Sequence, residues 1–212
     1  MNHHRHPSLL ALAAILALAG AWLPIQAQTT LRSTFPGRRV GGATRGECSA
    51  RLIAHMVPSS SVFAPGDTGL LGILQGPTAN PRPIKVTFTA EGGTGHPPGQ
   101  VINLPASGEG IILIRAPKMK GPMRWESTFV CEDAGTTAND DPLAFVTAGS
   151  PPPLTLLLNE ASPEDTLMQQ ALQKLLKACG GSVPRSEVAN GFGLADVLKE
   201  GWPAQVPVRC PG

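Results

Sequence analysis

The cleanest alternation of hydrophobic and polar positions runs from Ile84 to Ala90. Ile84, Val86, Phe88 and Ala90 share one face, while Lys85, Thr87 and Thr89 share the other. A period of two is what a half-buried antiparallel strand requires. Met123 to Cys131 repeats it: Met123, Trp125, Ser127, Phe129 and Cys131 point one way, with Arg124, Glu126, Thr128 and Val130 opposite. Leu52, Ala54 and Met56 alternate with Arg51, Ile53 and His55. Shorter apolar runs follow at Leu70–Leu74, Val101–Leu104, Ile111–Ile114, Leu143–Thr147 and Leu154–Leu158. Ile111–Ile114 is apolar on both faces and predicts a central strand. Turn clusters such as Gly92-Gly93-Thr94-Gly95 and Pro97-Pro98-Gly99 separate the runs. Short strands at such intervals predict a mainly β fold, an antiparallel, immunoglobulin-like β-sandwich of about seven strands over residues 48–160.

The pattern changes after Glu160. Ser162-Pro163-Glu164-Asp165 combines a capping serine, a first-turn proline and acids at the positive end of a helix dipole. Leu167, Met168, Ala171, Leu172, Leu175 and Leu176 then form a helical stripe, which Gly180-Gly181 ends. Ser186–Lys199 reads as a second helix, with Val188, Phe192, Ala195 and Leu198 facing inward and Gly191 and Gly193 weakening it. Residues 161–212 are therefore expected to form a helical hairpin.

The first 27 residues carry the plainest functional information. A weakly basic head precedes an uncharged apolar run from Leu9 to Leu23, and Pro24-Ile25-Gln26-Ala27 ends in a small residue. This is the layout of a cleaved export signal, too short to span a bilayer comfortably. The expectation is an exported protein, periplasmic or extracellular, without a membrane span once the signal is removed. Residues 28–47 follow as an exposed arm rich in glycine and arginine.

Composition narrows the partners. Seventeen Lys and Arg against fifteen Asp and Glu leave a formal charge of +2, which argues against a dedicated nucleic-acid binder. The 24 glycines and 22 prolines favour turns and short strands over a helical bundle. There is no tyrosine, so phenol chemistry is excluded.

Four cysteines, Cys48, Cys131, Cys179 and Cys210, make an even count in an exported chain and predict two disulfides. Zinc would favour close pairs such as Cys-x2-Cys, and none occurs. No metal or cofactor is expected. Cys179 ends the first tail helix and Cys210 lies just beyond the second, so these two are expected to pair, leaving Cys48 and Cys131 to the β part.

The arm segment Gly37-Arg38-Arg39-Val40-Gly41-Gly42-Ala43-Thr44-Arg45-Gly46 offers exposed amides and fork-shaped donors, which makes Arg38, Arg39 and Arg45 a candidate anion-binding set. It lacks the Lys-Ser/Thr of a phosphate-binding P-loop. Cys131-Glu132-Asp133 with Asn139-Asp140-Asp141 forms an acidic loop whose spacing does not fit an EF-hand. Gly-x-Ser-x-Gly is absent, and only His55 and His96 follow the signal as candidate general bases.

Arg38-Arg39-Val40-Gly41-Gly42-Ala43-Thr44-Arg45-Gly46-Glu47-Cys48 resembles the N-terminal signature of domain of unknown function 928, a set of exported, largely cyanobacterial proteins. Arg124-Trp125, Ser127 and Cys131-Glu132-Asp133 are similar to that family's second motif. The resemblance spans about residues 36–150 and implies an exported domain with a shared structural role for Cys48 and Cys131. It implies no catalytic residue. The combined reading is a non-catalytic, disulfide-stabilised binding or surface-interaction module with a protein or envelope partner. An exported hydrolase and a structural envelope component are its rivals.

Overall fold

A computed structural model describes residues 31–42, 52–92, 99–130 and 151–210. Residues up to Thr34 form a unit of their own, of which Leu31–Thr34 is a single helical turn. The unit from Phe35 onward holds all the elements described below. In chain order these are β1 (Val40–Gly42), β2 (Leu52–His55), β3 (Val62–Phe63), β4 (Leu70–Gln75), β5 (Ile84–Ala90), β6 (Gln100–Leu104), β7 (Gly110–Arg115), β8 (Met123–Phe129), β9 (Leu154–Leu157), α1 (Pro163–Lys177), β10 (Ser182–Pro184), α2 (Arg185–Phe192) and β11 (Gln205–Arg209).

The protein is mainly β, with two mixed sheets. One has the order β1-β2-β4-β7-β11-β10 and the other β3-β9-β8-β5-β6. The period-two strands behave as their sequence predicts. Ile84, Val86 and Phe88 of β5 and Trp125, Ser127 and Phe129 of β8 are buried, and Lys85, Arg124 and Glu126 are exposed. The register sets Val86 opposite Ser127 and Phe88 opposite Trp125. Side chains of both sheets and both helices share one core.

β4 is buried along its whole length because both of its faces are covered. On one side lies the second sheet, and on the other lies α1. The helix comes close because Gly72 has no side chain: a Cβ there would meet Leu172 Cδ2 at 2.8 Å and Met56 Sδ at 2.9 Å. The same double cover explains β2, whose Ile53, Ala54 and His55 are all fully buried despite their alternation. Helix α1 starts where the sequence places it. Ser162 Oγ accepts from the Asp165 amide, and Asp165 Oδ2 accepts from the Ser162 amide, a reciprocal cap.

Three expectations are corrected. The sheets are not all antiparallel, since β3 pairs parallel with β9 and β7 pairs parallel with β11. In each case a segment distant in sequence adds to a sheet edge that local alternation cannot foresee. The tail is not a pair of helices alone. α2 ends at Phe192, where Gly193 takes a left-handed conformation, and β10 and β11 extend the six-stranded sheet. Part of the arm is not exposed: Gly41 and Gly42 are buried in edge strand β1. Gly41 lies against the backbone of Pro151–Pro153 so tightly that a Cβ would fall 2.6 Å from Pro153 N and 2.8 Å from the Pro152 carbonyl carbon. The expected strand at Leu143–Thr147 lies outside the described residues.

Candidate functional site

The most organised polar group is inside the core. His55 on β2 reaches across to the facing sheet. Its Nδ1 lies 2.8 Å from Thr155 Oγ1 on β9, and its Nε2 lies 2.9 Å from Ser127 Oγ on β8. The imidazole stacks on Trp125 with ring centroids 3.5 Å apart and planes 9° from parallel. Trp125 Nε1 donates to Ser127 Oγ at 3.1 Å, so the indole is satisfied too. A neutral imidazole offers one donor and one acceptor, and two hydroxyls suit either tautomer.

Serine beside histidine is the beginning of a nucleophilic constellation. Here it cannot act as one. His55, Trp125, Ser127 and Thr155 are each 0% exposed, so no substrate reaches Ser127 Oγ. The partner on the far side of the imidazole is threonine, not a carboxylate, so nothing compensates an imidazolium. Burial accordingly holds the His55 pKa well below the ordinary histidine range. The group pins the two sheets together. His96 lies outside the described residues.

Two of the candidate anion-binding arginines give donors to main-chain carbonyls. Arg38 Nε and Nη2 both donate to Pro152 O, at 3.0 and 2.8 Å. Arg39 Nη1 donates to Val57 O and Phe192 O, and Nη2 to Gly193 O. The last two carbonyls close α2, where a cation also meets the negative end of the helix dipole. Arg45 lies outside the described residues, as do the acidic loop, Cys48 and Cys131. Cys179 and Cys210 form a disulfide with their Cα atoms 5.6 Å apart. Among the described residues no three His, Cys, Asp or Glu side chains gather as a metal site, and no helix is long and apolar enough to cross a membrane.

The site that sequence reasoning missed is an apolar cavity of about 660 Å³. It follows from register. β11 pairs with β7 only at Val208–Ile111 and Arg209–Ile112. Cys210 then leaves the sheet toward Cys179, and β7 continues to Arg115 with no partner on that side among the described strands. The cavity lies along this unpaired edge and is lined from both sheets and from α1. Ile102 and Leu104 of β6 form one wall, Ile112 and Ile114 of β7 another, and Leu176 of α1 closes the end beside the disulfide. The charged side chains in the lining are Arg115 and Arg209. Arg209 spends Nη1 and Nη2 on the carbonyls of Gly108 and Glu109. Arg115 donates from Nη1 to Thr68 O at 2.7 Å. The one sequence signal was the two-sided apolar run at Ile111–Ile114, which marks a covered strand but not a hollow beside it.

Comparison with protein-family models, with curated proteins and with solved structures finds no match for this chain.

Proposed function

We infer that this protein is an exported, disulfide-stabilised, non-catalytic binding module on a β-sandwich scaffold, and that its ligand enters the cavity between β6 and β7. The observation that carries the reading is the cavity itself. Its volume lies within the range of about 300–1,000 Å³ usual for small-molecule sites. Its walls are aliphatic, and a few polar groups stand at its border, which is the common composition of such sites. The sealed state of the His55–Ser127 pair supports a non-catalytic role. The signal-like first 27 residues and the Cys179–Cys210 bond support export.

Nile red, an uncharged apolar dye, tests the cavity. Saturable binding at one site per chain, lost in Ile102→Trp, is the expected result. Binding that Ile102→Trp leaves intact, in a variant that still melts cooperatively, would refute the site. Export is tested by the mature N-terminus and thiol state of protein recovered from its source cells. Cleavage after Ala27 with no free thiol is expected. An uncut, fully reduced protein would overturn that part of the reading.

A further inference from the structure

We propose that the ligand of this cavity is a single-chain amphiphile with an anionic head: a medium-length acyl chain that ends in a carboxylate. This rests on the binding-module reading and specifies its ligand.

The walls select an alkyl chain. Ile102, Leu104, Ile112, Ile114 and Leu176 present only methyl and methylene groups, so a bound chain makes no hydrogen bond in the body of the site. Each methylene moved from water onto such a surface gains free energy, so the cavity favours length over polarity. The border selects the head. Both charged side chains in the lining, Arg115 and Arg209, are cationic, and no carboxylate lines the cavity.

Arg115 is the better placed of the two. It is exposed, and it also lines an adjoining hollow of about 520 Å³ that contains Lys118, Asn159 and Asp67. Its Nη1 is held by Thr68 O, and among the described residues nothing accepts from its Nε or Nη2. A guanidinium anchored at one nitrogen and open along its Nε–Nη2 edge presents the fork that binds a carboxylate in two parallel hydrogen bonds. With the tail between β6 and β7, the head reaches Arg115 where the apolar lining ends. Lys118 adds a second cation in the hollow beyond, against the single acid Asp67. A cationic head would meet Arg115 and Arg209 and be rejected.

Titration of the purified protein with decanoate and decyltrimethylammonium below their micelle concentrations, and with decanol below its solubility limit, separates these claims. Decanoate is expected to bind one per chain, about tenfold or more tighter than decanol, the usual effect of a hydrogen bond to a charged group. Decyltrimethylammonium is expected to bind more weakly than decanol. Arg115→Met should bring decanoate down to the level of decanol without altering decanol. In the wild-type protein, decanoate should shift the methyl resonances of Ile102, Ile112 and Ile114. Vesicles of phosphatidylglycerol should not retain the protein, because the cavity holds one chain. Equal affinity for decanoate and decanol, or no effect of Arg115→Met, overturns the anionic head and leaves the apolar site standing. Retention on the vesicles overturns the free amphiphile in favour of a bilayer. Failure of both decanoate and decanol to bind, with unmoved isoleucine methyls, overturns the binding-module reading as well.

Discussion

Mild acid should weaken this fold through one side chain. His55 is fully buried between Ser127, Thr155 and Trp125, all uncharged, and burial holds its pKa well below the ordinary histidine value. In the unfolded chain the imidazole titrates near 6.5. Above that pH both states are neutral at His55, and the group makes no pH-dependent contribution. Below it the unfolded chain binds a proton that the folded ring refuses, so stability falls as pH falls. The limiting slope for one proton is about 1.4 kcal/mol per pH unit. While the folded ring stays neutral, the loss between pH 7 and pH 5 comes to about 2 kcal/mol. Urea unfolding of wild type and His55→Asn across this range isolates the effect, since carboxylates and surface charges are common to both. The variant should be less stable at pH 7, because the Trp125 stack and one hydroxyl partner are lost, yet its curve should be flatter. In parallel, the imidazole resonances of wild-type His55 should not move between pH 7 and pH 5. Parallel stability curves, or a His55 resonance that titrates near 6.5, would refute the reasoning.

Three further outcomes are expected. Replacing Cys179 and Cys210 together by serine removes a cross-link across 31 residues, which should cost roughly 3–4 kcal/mol in urea midpoint analysis. Gly41→Ala places a methyl against the backbone of Pro152 and Pro153, which cannot move aside as a side chain can. Thermal melting should show a loss of about 1–3 kcal/mol, with faster amide exchange in β1. Ser162→Ala breaks the reciprocal cap of α1 and should cost about 1 kcal/mol, an effect much smaller in Ser162→Thr, which keeps both the acceptor for the Asp165 amide and the hydroxyl that donates to Asp165 Oδ2.

What the sequence disclosed was local. β5, β8 and α1 were legible because each carries its own pattern: alternation in Ile84–Ala90 and Met123–Phe129, and a cap plus stripe from Ser162 to Leu176. β3, with two residues, and β10, with three, are too short to carry a period. β11 alternates Val206 and Val208, but Pro207 argues against a strand. The second tail helix looked longer because Ala195 and Leu198 continue its spacing past Gly193. Disulfide Cys179–Cys210 was inferred from two helices, whereas the structure brings its halves together through the end of α1 and the end of β11. The candidate site was almost wholly hidden. His55 on a strand gave no hint of Thr155 or Ser127, which come from the other sheet, and the arginine arm drew attention because its carbonyl partners at Pro152, Phe192 and Gly193 are distant in sequence. The cavity is a matter of where one strand stops beside another, and no local pattern encodes that.

The parallel seam between β7 and β11 also bears on biogenesis. Ile111 and Ile112 are made long before Val208 and Arg209, and the residues of α1 and α2 are made in between. A nascent polypeptide therefore carries β7 with one ladder unzipped for much of its synthesis, a template for unwanted pairing with other chains. Closing such a remote seam is slow compared with forming a hairpin. A chaperone that shields bare strand edges would have its longest task here, and a prematurely terminated product lacking residues 205–209 should be the form that clumps.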